Sequence, residues 1–187
     1  MNNKICGIDE AGRGPLAGPL CVAGVMFKKD ISTIKEFELI NDSKKITHKK
    51  RESLFEIIKE NSLYHIVLTS NKDIDTFGIS ACIKNSILEI MSKIESDNFL
   101  MDGNTSFGIQ NLNHLIKADA TIKEVSAASI LAKVTRDRFM DQIANEYKEY
   151  SFEKHKGYGT KLHMEMIKEY GKSDLHRLSY KIKGIDY

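Results

Sequence analysis

Residues 5–27 read ICGIDEAGRGPLAGPLCVAGVMF. Ile5 to Glu10 is a short apolar run closed by two acids, Asp9 and Glu10, and Leu20 to Phe27 is a longer apolar run. Between them lie Gly12, Gly14 and Gly18, together with Pro15 and Pro19, the only two prolines of the chain. Two strand-like runs joined by a short glycine-rich turn predict an antiparallel hairpin. The glycines do not have the G-x-G-x-x-G spacing, and the chain runs on into a strand rather than a helix. A dinucleotide-binding loop is therefore not the reading.

From this hairpin the pattern continues as alternating helices and strands. Thr47 can cap a helix to about Glu60, with Leu54, Phe55, Ile57 and Ile58 inward. Leu63 to Thr69 reads as a third strand. Ile79, Cys82, Ile83, Ile87, Ile90, Met91 and Ile94 recur at helical spacing. Asn98 to Met101 is a short strand ending at Asp102, and Leu112 to Ile116 is another. Thr121 and Glu124 have the spacing of a capping box and would open a helix to about Tyr147. Lys161 to Tyr170 is a last helix. Such an order predicts an α/β fold, a mixed sheet with helices on both faces.

The 187 residues suit a single domain, and no proline- or glycine-rich linker divides them. Hydrophobic residues make up 41% and charged residues 29%, the balance of a folded globular protein. Lys plus Arg is 28 against 26 for Asp plus Glu, a net charge of +2, so the totals carry no strongly basic footprint. Residues 133–187 hold 12 Lys and Arg against 9 Asp and Glu, a small basic surplus, and three of the six histidines. Cys6, Cys21 and Cys82 lack metal-ligand spacing, and the first two lie in apolar runs, so they read as buried thiols. No signal-type stretch or long apolar run occurs, and the chain is expected to be cytoplasmic and not in a membrane.

Chemistry is concentrated at strand ends. Asp9 and Glu10 close the first strand, Asp102 closes the fourth and is followed by Gly103, and Asp119 lies in the turn before the long helix. Acids at the ends of neighbouring central strands would converge at one edge of the sheet. Clustered carboxylates repel one another unless cations neutralise them. Hard divalent ions such as Mg²⁺ or Mn²⁺ favour oxygen ligands. Two such ions about 4 Å apart can clamp an in-line phosphoryl displacement. Acids also end strands as ordinary turn formers, and consecutive residues such as Asp9 and Glu10 face opposite ways on a strand.

Taken together, these residues resemble the ribonuclease HII family. GIDEAGRGPLAGP (7–19), LMDGN (100–104), KADATIKEVSAASILAKVTRDR (117–138) and HKGYGT (155–160), with His163, Gly171, His176 and Arg177 after it, are similar to the family's motifs in their order. The resemblance implies a ribonuclease H-like three-layer fold: a mixed sheet of about five strands between helices, with a helical substrate-binding region over residues ~140–187. It implies an endonuclease that cuts the RNA strand of RNA–DNA hybrids. Incision 5′ of a single ribonucleotide in duplex DNA is implied too, leaving 3′-hydroxyl and 5′-phosphate ends. The family's metal-binding carboxylates fall on Asp9, Glu10, Asp102 and Asp119, holding two Mg²⁺ or Mn²⁺ ions. Its ribose-recognition loop falls on Gly12, Arg13 and Gly14, and its sugar-packing tyrosine on Tyr158. One departure is Ala118, where the family usually has Gly.

Further candidates lie around these motifs. Ser126, Ser129, Lys133, Arg136 and Asp137 form a polar stripe on the long helix. Lys133 is a candidate phosphate contact, and Asp137 reads as a structural ion-pair partner. Lys44, beside Lys45, is a candidate for the DNA path. His155, His163 and His176 read as hydrogen-bonding residues. No Ser-His-Asp or Cys-His arrangement appears. The expectation is a monomer acting on hybrid and ribonucleotide-containing duplexes, with no protein partner legible in the sequence. No long tail follows the last motif to suggest docking on a sliding clamp, and no room precedes the first strand for the extra domain of the related ribonuclease HIII. The rivals are a junction or strand nuclease with the same acid cluster, and a hybrid-binding module without catalysis.

Overall fold

The structure is a computed structural model and describes residues 4–29, 37 and 47–186. Five strands form one sheet: β1 (Ile5–Ala11), β2 (Leu20–Phe27), β3 (Ser62–Thr69), β4 (Asn98–Asp102) and β5 (Leu112–Leu115). Their order across the sheet is β3-β2-β1-β4-β5. β1 and β2 are antiparallel, as are β2 and β3, while β1–β4 and β4–β5 are parallel. The helices are α1 (His48–Asn61), α2 (Asn71–Phe77), α3 (Ile79–Lys93), α4 (Lys123–Ile143), α5 (Phe152–His155) and α6 (Lys161–Tyr170).

β2 shows why there are three layers. Leu20, Val22 and Met26 pack in one core with Cys82, Ile83, Ile87 and Ile90 of α3. Cys21, Ala23 and Val25, one step out of phase, pack in another with α1 and α4 residues, among them Leu54, Ile58, Ala127 and Leu131. Successive strand residues face opposite ways, so an uninterrupted apolar strand must be covered on both sides. Glycines let the layers approach. A β-carbon on Gly7 would lie 2.3 Å from the Glu124 carbonyl carbon, and one on Gly24 would lie 2.3 Å from Ile90 Cγ2. Cys6 and Cys21 are free thiols on opposite faces, and burial pushes each up to about 12.

Thr47 caps α1 as the sequence predicts, its hydroxyl accepting from Lys50 N–H. The capping box at Thr121 and Glu124 does not form. The N-cap is Ile122, with no side-chain bond, and Thr121 instead closes a 3₁₀ turn over Ala118–Ala120. The chain needs that turn to bring Asp119 round, which uses up Thr121 before the helix begins. α4 also ends at Ile143 rather than near Tyr147, because the following amides bond three residues back: Asn145 to Gln142 and Glu146 to Ile143. α2 was not expected. Ser70 caps it by accepting from Asp73 N–H, but the helix buries only Asn71 and Ile74, too few positions to show a period.

Candidate active site

The parallel pairing of β1 with β4 places their carboxyl ends together. Ile8 pairs with Met101, so the next residues, Asp9 and Asp102, lie side by side. Lys117 then takes a left-handed conformation (φ 60°) and the 3₁₀ turn carries Asp119 back to the same edge. Asp9, Asp102 and Asp119 each offer a carboxylate oxygen within 4.8 Å of one another. Ala118 N–H donates to Asp102 Oδ1 at 2.8 Å, and the Ser126 hydroxyl donates to the Asp119 carbonyl. Ala118 sits inside the 3₁₀ turn, and the positive φ falls on Lys117, so the methyl where the family usually has Gly meets no backbone conflict.

Glu10 is adjacent but outside that tight group, as strand alternation requires. Its Oε1 lies 3.7 Å from Arg13 Nη1, while its Oε2 is buried without a hydrogen-bond partner. Burial raises the Asp9 carboxyl well above the usual range, and the charges of Glu10 and Asp102 add to it, against a hydrogen bond from Ser129. Glu10 is also raised, first by burial, with Arg13 lowering it and Asp102 raising it. Three converging hard-oxygen donors, mutual repulsion and an orphaned carboxylate oxygen beside them fit a divalent cation site.

Next to the acids lies a cleft of about 410 Å³ lined by Glu10, Gly12–Gly14, Arg51, Ser129, Lys133 and Tyr158, among others. The expected loop and tyrosine thus line one cleft with Glu10, whose neighbour Asp9 belongs to the aspartate cluster. Tyr158 is 40% exposed, with Lys133 Nζ 5.7 Å and Arg136 Cζ 5.6 Å from its ring centroid. Lys133 pairs with Asp137 at 2.8 Å, the partner role expected of Asp137. Arg51, on α1, also reaches this cleft; sequence reasoning missed it because α1 carries several exposed cations and nothing local singles this one out. Lys44 lies outside the described residues. The polar stripe on α4 is not a solvated face: Ser126 and Arg136 are fully buried and Asp137 nearly so.

The loop is gripped from behind. Leu16 N–H donates to the Gly157 carbonyl, Gly18 N–H to that of Leu175, and Arg177 N–H to that of Leu16. Behind Tyr158, His155, His163 and His176 form a buried cluster whose bonds fix every ring as neutral. His155 Nε2–H donates to the Tyr150 carbonyl while its Nδ1 accepts from Gly157 N–H. His163 Nδ1–H donates to the Tyr158 carbonyl, and His176 Nδ1 accepts from Ser173 N–H. That leaves His176 Nε2–H to donate to His163 Nε2 at 3.1 Å. Burial lowers all three, His163 and His176 to about 4. A lowered folded-state value contributes stability that is complete above the ordinary value near 6.5 and is lost as pH falls toward about 4. An NMR titration of the imidazole carbons should find both rings still neutral at about pH 5.5; midpoints near 6.5 would refute this wiring.

The family model described as Ribonuclease HII matches residues 6–183. Ribonuclease HII of Aliarcobacter butzleri is 60% identical over 184 residues, covering 97% of this chain and 93% of the relative. That of Sulfurovum sp. is 51% identical, covering 97% and 94%. Among solved structures, ribonuclease H2 from Pyrococcus horikoshii superposes with a TM-score of 0.80 at 28% identity, covering 95% of this chain and 94% of that one. The PCNA:RNase HII complex from Archaeoglobus fulgidus gives 0.83 at 25% identity, covering 96% of each chain. That relative was solved with a protein partner, which does not fit the expectation of none. The mixed sheet, the acids at its edge and a match over nearly the whole length agree: the chain belongs to the ribonuclease HII family of endonucleases.

Proposed function

We propose that the chain incises duplex DNA 5′ of a single embedded ribonucleotide and cuts the RNA strand of RNA–DNA hybrids, leaving 3′-hydroxyl and 5′-phosphate ends. This refines the metal-dependent RNA endonuclease activity that its family carries. One observation supports it above the rest: the Gly12–Gly14 loop and Tyr158 line a single cleft with Glu10, the residue next to Asp9 of the aspartate cluster. A strand in that cleft would have one sugar against the loop and tyrosine and its adjoining phosphate at the carboxylates.

Asp9, Asp102 and Asp119, with Glu10, would hold two divalent ions, Mg²⁺ or Mn²⁺. When bound, these supply Lewis-acid stabilisation of the phosphate charge and an activated water. The residues do the rest. The backbone at Gly12, Arg13 and Gly14 reads the 2′-hydroxyl, the group that separates RNA from DNA. Tyr158 packs on that sugar, and Lys133, its charge half-satisfied by Asp137, faces the phosphate path. Residues ~140–187 belong to the same single domain and grip the duplex. The protein works as a monomer in the cytoplasm. No helix among the described residues is long and apolar enough to cross a membrane.

The test is to map the cut on an end-labelled duplex with one ribonucleotide. A single product ending 5′ of the ribonucleotide is expected with Mg²⁺ or Mn²⁺ and none with chelator. Cutting of an all-DNA duplex at a comparable rate would favour the junction or strand nuclease instead.

A further inference from the structure

Two arginines lie beneath the glycine loop, both fully buried. Arg177 Nη2 donates to the carbonyls of Gly12 (2.6 Å), Gly18 (3.0 Å) and Pro19 (3.1 Å), its Nη1 to that of Arg13 (3.2 Å), and its Nε to that of Gly18 (3.1 Å). Nη1 also donates to the Tyr180 hydroxyl, which itself donates to the Arg13 carbonyl at 2.7 Å. Arg136 holds the return arm through the carbonyls of Pro19 (2.8 Å) and Ala17 (3.1 Å). Among the described residues, the hydrogen-bond partners of the two guanidiniums are therefore loop carbonyls and the Tyr180 hydroxyl.

Peptide planarity turns this into a statement about the loop's other side. The chain has no cis peptide among the described residues. In a trans peptide the C=O of one residue and the N–H of the next point in opposite directions. With the Gly12 and Arg13 carbonyls drawn inward, the N–H groups of Arg13 and Gly14 point outward, away from the guanidinium. Both residues line the cleft, and neither N–H has a hydrogen-bond partner among the described residues.

We propose that Arg177 is a positioning residue for ribose recognition: its fork, assisted by the Tyr180 hydroxyl, fixes the Gly12 and Arg13 carbonyls inward so that two adjacent N–H donors face the sugar. This rests on the reading of the loop as the ribose reader. A planar fork holding several carbonyls at once is not replaced by a lysine, whose single ammonium cannot span them.

The experiment measures binding in an Asp102→Asn background, where cleavage does not interfere. Its readout is the ratio of affinities for a duplex with one ribonucleotide and the same duplex in all-DNA form. Arg177→Lys should reduce that preference by about 10²-fold, while the rise in melting temperature on adding Mn²⁺, measured with Asp102 restored, stays as in the parent. Should Arg177→Lys fail to fold, Tyr180→Phe carries the test. It keeps the ring beside the guanidinium (5.0 Å from Cζ to centroid) and removes only the hydroxyl, so a smaller loss of the same preference is expected. Gly14→Val separates the two ideas. If it abolishes the preference while whichever of Arg177→Lys and Tyr180→Phe folds retains it, Arg177 is not the positioning residue and the loop reading stands. If Gly14→Val itself retains the preference, the loop reading fails and this inference with it.

Discussion

Asp102→Asn is expected to lower cleavage by at least about 10³-fold, equivalent to about 4 kcal/mol of lost transition-state stabilisation, while the metal-free protein becomes more stable. The fold should survive because the amide oxygen of Asn can still accept from Ala118 N–H, the bond Asp102 Oδ1 makes now. The opposite signs share one cause. Asp102's charge helps raise both Asp9 and Glu10, so without metal the cluster carries repulsion that a dication would relieve. A carboxyl raised in the folded state is a stability term that weakens as pH climbs from the ordinary value near 4 through its raised folded value. Without metal, the parent should therefore melt lower at pH 8 than a protein without this cluster, and Asp102→Asn should recover part of the difference. A gain of about 2–4 °C would correspond to about 1 kcal/mol in a chain of this size. Added Mn²⁺ should raise the parent's melting temperature more than the variant's. Full cleavage by Asp102→Asn, or an equal metal response in the two, would remove Asp102 from the metal site.

How much of this was legible in the sequence depends on the range of the interaction involved. Strands β1 to β5 and the Thr47 cap are local events, set by runs of apolar residues or by one hydroxyl three positions from its donor, and the sequence shows them. From the residues alone, the meeting of Asp9 with Asp102 was legible only as both ending strands, and it was the family resemblance that put them in one site; that β1 and β4 are parallel neighbours was not legible. The burial of the α4 stripe was not legible, because helical spacing cannot tell a solvated polar face from one buried against a loop. Arg136 reaches carbonyls 117 and 119 residues away, and Arg177 reaches carbonyls 158 to 165 residues away. Carbonyl acceptors carry no side-chain identity, so no sequence pattern marks them. The three histidines show the same limit, since their neutral chain of bonds depends on which backbone group each ring meets.

The loop's two outer glycines, alike in sequence, should respond oppositely to substitution. Gly12 has φ +96°, and a β-carbon there would lie 2.3 Å from Arg136 Nε and 2.7 Å from the Pro19 carbonyl, so Gly12→Ala should destabilise the fold itself. Gly14 has no positive φ, and a β-carbon there meets nothing within 4 Å. Gly14→Val should therefore fold, with a melting temperature unchanged or slightly higher, since a bulkier residue restricts the unfolded chain. Its open space lies in the cleft, and the isopropyl group would occupy it. Contact of the sugar with the adjacent N–H groups would then be blocked, leaving them unpaired under a bound strand. A site built to hydrogen-bond a hydroxyl loses discrimination when that bond cannot form, and about a 10²-fold fall in cleavage of a single-ribonucleotide duplex is expected. The metal-induced rise in melting temperature should persist, because the acids are untouched. Should Gly14→Val cleave such a duplex at the parent rate, ribose is read elsewhere in the cleft. Should it lose the metal response as well, the loop and the acids form one coupled unit rather than two adjoining ones.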